Sequence, residues 1–364
     1  VATPEIAPAS GEARQALTEG LERRIPGVID RAPRDGGRAI AASFDGYKIL
    51  EALPSGGSGA RLFVARPSLD KVTELAARGH ADPGKVVIKS FALEDGSTLP
   101  QIVRESRALE AASRLGLVLE HELTPRRFHY VMPYVPGDDL GRVTSRLHAH
   151  ASPQGLERKE LVQVMAYAAD VLRTLHRFHT NGLWHKDIKP SNLIIADGRA
   201  HVVDLGLVTP LQSAMTLTTH GTEYYRDPEM VRLALKGVRV HEVDGVKFDL
   251  YSAGAVLYTM IENSFPAHGS LSRWSKRCPQ ALEWVIHRAM ADLGTRYASA
   301  REMLTDLELL LDAKDPFGLR PVDLPSVKGV LGEGTLGLTP ADSERRVAFA
   351  ACDAPPNAIE HAPV

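Results

Sequence analysis

Four side chains that could act together in catalysis lie close to one another in the sequence: Asp187, Lys189, Asn192 and Asp204. A carboxylate and an amide oxygen are hard ligands that suit Mg²⁺, which proteins commonly bind together with substrate phosphates. A second carboxylate can accept the proton of an attacking hydroxyl group. A lysine beside it can offset the charge on a phosphoryl group in transit. This combination of residue types predicts a site for phosphoryl transfer.

The chain between Asn192 and Asp204 contains the elements that could bring these groups together. Two short apolar runs of strand type, 193–195 and 201–203, flank a segment with the pair Asp197-Gly198, which favours a tight hairpin turn. Such a hairpin returns Asp204 to the neighbourhood of Asn192. A surface hairpin with charged flanks is the alternative, and the ordered string of functional residues argues against it.

The string His-Lys-Asp-Ile-Lys-Pro-Ser-Asn around Asp187, followed by Asp-Leu-Gly from Asp204, resembles two motifs of the eukaryotic-like (Hanks-type) serine/threonine protein kinases. The resemblance, which points to a bacterial member, covers roughly residues 44–311. It implies that Asp187 accepts the substrate proton and that Asn192 and Asp204 hold the metal ions. Lys189, two residues after Asp187, resembles the serine/threonine-specific branch.

The resemblance implies an α+β protein with the two-lobed protein-kinase fold, a small β-rich N-lobe and a larger helical C-lobe. The predicted boundaries are an N-terminal extension at 1–43, the N-lobe at 44–135, the C-lobe at 136–314 and a C-terminal tail or linker at 315–364. Docking of that tail onto the kinase body is the less favoured alternative. Apolar spacing also predicts helices within 11–24, 69–78, 99–116 and 156–180.

The resemblance also assigns a nucleotide pocket. A glycine-rich turn between two strands can lay its backbone N–H groups over phosphates, although its outer kinase positions hold Ser55 and Ala60 here. Lys89, which ends a predicted strand, would bind the α- and β-phosphates, with Glu105 as its expected partner and Glu110 as the alternative. The nucleotide-binding residues implied are Gly56, Gly57, Gly59, Leu62, Val87, Lys89, Met132, Val135 and Ile194.

Later motifs favour a protein substrate. The string Gly-Thr-Glu-Tyr-Tyr-Arg-Asp-Pro-Glu resembles the family's peptide-binding segment, in which Thr222 would assist catalysis and Glu229 would pair with Arg296. Asp249 resembles the aspartate that braces the catalytic loop. By the same resemblance, residues 207–220 are expected to be the activation loop.

Composition gives no support to several other functions. The 43 basic and 45 acidic side chains nearly balance, which gives no argument for nucleic-acid binding. Cys278 and Cys352 have no ligand-like spacing, so we expect neither a zinc site nor a disulfide framework. No apolar run reaches the ~18–20 residues that span a bilayer. These features favour a cytoplasmic protein or the cytosolic domain of a larger protein, and the start at Val1 instead of a methionine suggests a fragment or a processed product.

The expected activity is therefore transfer of the γ-phosphate of ATP, with Mg²⁺ or Mn²⁺, to serine or threonine hydroxyls of proteins, including its own. Two rivals are a pseudokinase that only binds partners and a small-molecule kinase. The degenerate glycine loop slightly favours the pseudokinase, and the peptide-binding segment argues against the small-molecule kinase. Lys186 stands where many kinases have an arginine, and a lysine binds a loop phosphate as a point charge instead of bidentately. Leu205 replaces the usual phenylalanine. The sequence does not indicate the oligomeric state.

Overall fold

A five-stranded antiparallel sheet forms the first half of the fold. The computed structural model describes residues 43–53, 60–93, 109, 112–124, 126–205, 208–213, 216–217, 223–266 and 274–329. The sheet has the strand order β1-β2-β3-β5-β4. Its strands are β1 (Tyr47–Leu53), β2 (Arg61–Pro67), β3 (Val86–Ala92), β4 (Glu120–Leu123) and β5 (Arg127–Pro133). We call these strands, with the helix described next, the sheet region.

A helix inserted between β2 and β3 holds the two edges of this sheet together. Helix α1 (Leu69–Ala77) begins at Ser68, whose hydroxyl caps it, and confirms the helix predicted at 69–78. Although β1 and β4 are opposite edge strands, the Tyr47 hydroxyl donates to the Glu120 carboxylate at 2.8 Å. The sheet is therefore strongly curled.

Helices dominate the chain from Leu140 onward, which we call the helical region. They are α2 (Leu140–Ala149), α3 (Arg158–Thr180), α4 (Pro228–Leu235), α5 (Gly245–Glu262), α6 (Gln280–Ala289), α7 (Ala300–Asp312) and α8 (Pro325–Lys328). Helix α5 is buried around most of its circumference, as expected for a helix that is apolar on nearly every side. It packs between α3 and α6, and α7 packs on α3. The apolar periodicity predicted for 156–180 is confirmed by α3.

Three pairings between short strands, each two to four residues long, place the predicted hairpin and the residues beside it on the helical region. Strand β6 (Asp138–Asp139) pairs with β8 (Leu193–Ala196), which pairs with β9 (Arg199–Val202). Strand β7 (Leu183–Trp184) pairs with β10 (Thr209–Pro210). The turn between β8 and β9 has positive φ at both Asp197 (50°) and Gly198 (73°), the type I′ geometry that this residue pair favours. The predicted hairpin is thus confirmed.

The segment after α7 is docked on the helical core through residue 329. Leu324 has no solvent exposure and belongs to the main apolar core. The Ser326 N–H and hydroxyl donate to the buried carboxylate of Asp306, which also accepts from the Tyr297 hydroxyl at 2.7 Å. For this first part of the predicted tail, the contacts favour the docking alternative.

Within the described residues, no helix is long and apolar enough to cross a lipid bilayer.

Candidate active site

A buried carboxylate fixes the backbone of the catalytic loop. Asp249, on α5, has no solvent exposure and accepts hydrogen bonds from the backbone N–H groups of His185 and Lys186, each at 2.8 Å. His179, near the end of α3, contacts the same carboxylate at 2.9 Å. Since a buried charge must be fully hydrogen-bonded, the loop backbone is held where those donors can reach it. We call these contacts the Asp249 hub, and they confirm the predicted brace.

The loop positions Asp187 with two further groups from the predicted set. The Lys189 ammonium lies 2.7 Å from the Asp187 carboxylate. The Asn192 amide nitrogen donates to the Asp187 backbone oxygen at 2.9 Å and to its carboxylate at 3.0 Å. With its nitrogen committed in this way, Asn192 presents its amide oxygen as the acceptor or metal ligand.

The hairpin then brings Asp204 and Lys89 to the same site. The Val203 N–H donates to the Asn192 carbonyl at 2.9 Å, which places Asp204 beside the start of β8. Asp204 has φ 66°, an uncommon conformation for a residue other than glycine. Its carboxylate contacts the buried Lys89 ammonium at 2.8 Å, while its own side chain is 42% exposed. Lys89 thus links the sheet region to the catalytic hairpin.

The strand register groups the predicted nucleotide-binding side chains of the sheet on one face. Leu62 pairs with Lys89 across β2 and β3, and Val87 pairs with Met132 across β3 and β5. Cross-strand partners and residues two apart along a strand lie on the same face. Leu62, Val87, and Met132 are partly buried, as are Val135 and Ile194 in the segments that follow. The result is a half-open apolar surface next to the Lys89 ammonium.

Five predicted site residues lie outside the described residues. They are Gly56, Gly57, Gly59, Glu105 and Thr222, together with the alternative Glu110.

The predicted pairing of Glu229 with Arg296 is wrong. Arg296 forms a 2.6 Å ion pair with Asp227, and both side chains are almost fully buried. Asp227 caps α4 by accepting from the Glu229 N–H, which turns its carboxylate inward, and Glu229 points outward to Arg232. The aspartate that replaces the family's alanine therefore takes over as the buried partner.

Two more residues near the loop were not singled out from the sequence. Trp184 is fully buried, and the Lys186 ammonium lies 5.0 Å from its ring centroid. A Cβ atom on Gly245 would lie 2.6 Å from the same indole, so a larger residue at the start of α5 would displace it. No spacing rule connects residues so far apart in the chain, and only the folded structure could identify them.

His185 is fully buried beside the catalytic loop. Burial lowers the pKa of its imidazole, against the opposing effect of Asp249. Its Nδ1 faces the Asp187 N–H at 3.4 Å, and its Nε2 is buried with no hydrogen-bond partner among the described residues. A proton added here would create a buried charge that lacks a partner.

The geometry agrees with the comparisons against known proteins. The family model described as the protein kinase domain matches residues 75–306. Serine/threonine-protein kinase PrkC of Bacillus subtilis (strain 168) is 26% identical over 294 residues, which cover 73% of this chain and 41% of the relative.

Two further relatives extend the comparison. CBL-interacting protein kinase 4 of Oryza sativa subsp. japonica is 25% identical over 82% of this chain and 62% of its own length. A probable serine/threonine-protein kinase PknB of Bifidobacterium longum (strain NCC 2705) is 32% identical over 49% of this chain and 27% of its own length. This chain therefore spans less than two thirds of each of these relatives.

Proposed function

Because this chain belongs to the protein kinase domain family, we propose that it transfers the γ-phosphate of ATP to serine or threonine hydroxyl groups of proteins. The observation that carries this proposal is the cluster of Asp187, Lys189 and Asn192, with the Lys89–Asp204 ion pair beside it. It supplies a base, a cation next to that base, and two oxygen ligands.

Asp187 is the proposed general base. The Asp249 hub fixes the loop backbone, and Asn192 donates to one oxygen of the Asp187 carboxylate. The Asp187 carboxylate would accept the proton of the attacking hydroxyl group and orient the hydroxyl oxygen toward the γ-phosphorus. Lys189, at 2.7 Å, offsets negative charge as the phosphoryl group moves. Positioning and electrostatics are the main contributions in such a loose transition state.

The donor set fits a divalent metal shared with ATP. Members of this family use ATP with a divalent ion, and we propose Mg²⁺, which Mn²⁺ could replace. Asn192 and Asp204 offer one amide oxygen and one carboxylate, both hard ligands. Within the described residues, no group of three or more His, Cys, Asp or Glu side chains could hold a metal alone. This agrees with an ion that takes its remaining ligands from phosphates and water.

Lys89 is the proposed phosphate clamp on the sheet side. Its ammonium is almost fully buried, with the rings of Phe91 and Tyr130 5.7 Å and 5.9 Å away. Burial keeps this cation in one place, where ATP phosphates can share it with Asp204. Leu62, Val87 and Met132 would contact the adenine, and Val135 would offer backbone groups to its edge.

The test is phosphate transfer from Mg-ATP to generic protein acceptors, followed by mapping of the modified amino acid. We expect phosphoserine or phosphothreonine, and we expect Asp187→Asn to lower the rate by at least about 100-fold, the range for loss of a general base. Asp197→Asn is the matched control, because this exposed turn residue changes in the same way and asparagine tolerates positive φ.

A folded chain that binds Mg-ATP but transfers nothing to any protein would contradict the proposal. Saturable binding without transfer would favour the pseudokinase alternative. Transfer to small alcohols and not to proteins would favour the small-molecule kinase.

A further inference from the structure

A second buried carboxylate of the helical region contacts the β8–β9 hairpin. Asp170 lies in the middle of α3 and is buried. Its carboxylate accepts a hydrogen bond from the Ala200 N–H, on β9, at 3.1 Å. The phosphoryl transfer described above makes no use of Asp170, although the hairpin that it contacts begins just after Asn192 and ends two residues before Asp204.

The Ala200 N–H needs an acceptor outside the hairpin. In its sheet β9 pairs only with β8, so alternate N–H groups of β9 point away from β8. The Val203 N–H donates to the Asn192 carbonyl, and the N–H of Ala200, three residues earlier, is therefore turned the other way. Ala200 is buried, where an N–H without an acceptor is costly. Asp170 supplies that acceptor.

The two oxygens of the Asp170 carboxylate have different partners. Oδ2 accepts from the Ala200 N–H, whereas Oδ1 contacts the guanidinium groups of Arg173 at 3.1 Å and Arg199 at 3.3 Å. Arg173 also donates to Glu308, on α7, at 3.0 Å. Because the two arginines offset the buried negative charge, Asp170 can remain ionised while its other oxygen binds the strand.

This hydrogen bond fixes the position of β9 along its own axis. Apolar contacts of Ala200 with the main core hold the strand close to α3, but such contacts have no direction. The strands of the hairpin are only four residues long, and a shift by one residue would turn every side chain to the other face. Since Asp204 follows closely after β9, the position of its carboxylate depends on the register that Asp170 fixes.

We propose that Asp170 is a positioning residue for the metal-binding pair Asn192 and Asp204. It acts through β9, whose register sets where Asp204 lies relative to Asn192. The inference rests on the proposed function, because it concerns the metal ion that the kinase reaction uses. The two buried carboxylates then have different roles. The Asp249 hub fixes the loop that carries the base Asp187, and Asp170 fixes the strand that leads to a metal ligand.

Asp170→Asn is the variant that tests this role. Asparagine has one acceptor oxygen, so it cannot serve both the Ala200 N–H and the arginines, and its NH₂ group faces a donor on one side. Glu308→Gln is the matched control. It replaces the other carboxylate that Arg173 contacts by the corresponding amide, at a side chain that is not on the hairpin.

Hydrogen exchange, followed by mass spectrometry without nucleotide or metal, tests the contact itself. In Asp170→Asn we expect exchange at 199–203 to be about tenfold faster, the effect of one lost hydrogen bond. Exchange at 185–187, which the Asp249 hub holds, should not change, and Glu308→Gln should match the wild type in both segments. Unchanged exchange at 199–203, or equal acceleration in both segments, would overturn the role of Asp170.

Metal binding tests the consequence without any phosphate transfer. Equilibrium dialysis against Mn²⁺ and β,γ-imido-ATP, which resists cleavage, measures the Mn²⁺ that the protein holds. Asp170→Asn should raise the Mn²⁺ concentration for half-saturation about tenfold, as expected when a metal ligand loses its orientation, and Glu308→Gln should not change it. A wild-type value in Asp170→Asn would overturn the role of Asp170 alone. Wild-type protein that holds no Mn²⁺ with the nucleotide would overturn the proposed function as well.

Kinetics should separate the two carboxylates. With ATP saturating, Asp170→Asn should raise the Mg²⁺ concentration that gives half the maximal rate and should leave kcat within about threefold of the wild-type value. Asp249→Asn should instead lower kcat at every Mg²⁺ concentration, because the loop that carries the base is no longer fixed. A fall in kcat with an unchanged Mg²⁺ requirement in Asp170→Asn would overturn the proposal.

Discussion

The helical region and the sheet region both rely on carboxylates, but they use them in different ways. Asp249 and Asp227 are buried. Asp249 accepts from two backbone N–H groups and contacts the His179 ring, and Asp227 accepts from one backbone N–H group and from Arg296. Glu120, in the sheet region, is partly exposed, and among the described residues its carboxylate contacts the side chains of Tyr47, Lys71 and Arg78. The contacts of Asp249 and Asp227 fix the path of the backbone. The contacts of Glu120 link side chains of a helix and two strands.

This difference has an energetic cause. A buried carboxylate that loses a partner keeps its charge without solvation, whereas a partly exposed one regains water. Substitutions in the helical region should therefore cost more free energy of unfolding than equivalent substitutions around Glu120. Positions that must be accurate for catalysis are held by the contacts that are most expensive to break.

The largest expected effect is at Arg296. Arg296→Met keeps the volume but leaves the Asp227 carboxylate buried without its cation, so the free energy of unfolding should fall by about 3–5 kcal/mol. Urea denaturation measures this. Arg232→Met removes the exposed arginine that pairs with Glu229 and should leave the urea midpoint unchanged within error. Equal losses in the two variants would contradict the comparison.

A smaller loss of stability is expected at Asp249. Asp249→Asn retains one acceptor oxygen but turns an NH₂ group toward one of the two backbone donors, which should cost about 2–3 kcal/mol. The rate of phosphate transfer should fall by more than the loss of folded protein explains, because the backbone around Asp187 is no longer fixed. Asp244→Asn, an exposed change just before α5 at a side chain without a capping hydrogen bond, should alter neither quantity. A variant at Asp249 with normal activity would show that the hub is dispensable.

The free energy of unfolding should depend on pH in part through the His185 imidazole. Burial lowers the folded-state pKa of this imidazole below its ordinary value of 6.5. The unfolded chain therefore binds the proton more readily than the folded chain does. The contribution of His185 to the free energy of unfolding is complete above pH 6.5, and it declines as the pH falls from there toward the folded-state pKa. The slope per proton is at most about 1.4 kcal/mol per pH unit.

Urea denaturation at pH 7.5, 6.5 and 5.5 measures this decline. His185→Phe should reduce the slope, and burial of His129 and His287, whose pKa values are lowered in the same direction, should account for part of what remains. An unchanged slope in His185→Phe would show that His185 does not titrate between the two states.

The smallest effect is expected at Glu120. Glu120→Gln keeps the contact with Tyr47 but removes the charge opposite Lys71 and Arg78, and it should cost about 1 kcal/mol. Glu122→Gln, two residues along the same strand and largely exposed, is the control and should cost less. A loss at Glu120 as large as that at Asp249 would remove the distinction between the two regions.

The sequence predicted those parts of the site that depend on local structure. The β8–β9 hairpin follows from two apolar runs and a turn pair that accepts positive φ, and the family motif identified the residues around it. Helix α1 was predicted from its apolar spacing, which is a local signal, and the structure adds a local cap at Ser68.

The parts that could not be predicted depend on contacts between distant segments. Motif position alone assigned Arg296 to Glu229, because nothing local shows that Asp227 turns inward. His179 joins the Asp249 hub across 70 positions of sequence. Residues 315–329 dock through short turns and through hydrogen bonds to Asp306. Such contacts leave no apolar periodicity in the sequence from which the docking could be predicted.

The curled sheet has a consequence for how this protein behaves at high concentration. Edge strands can add a strand from another molecule, which is a common start of aggregation. Here β1 and β4 are joined through Tyr47 and Glu120, and the charged helix α1 lies across them. A foreign strand that approaches this side would meet lysine, arginine and glutamate side chains before it reached backbone groups. The closure that shapes the nucleotide-binding face therefore also works against self-association through the sheet.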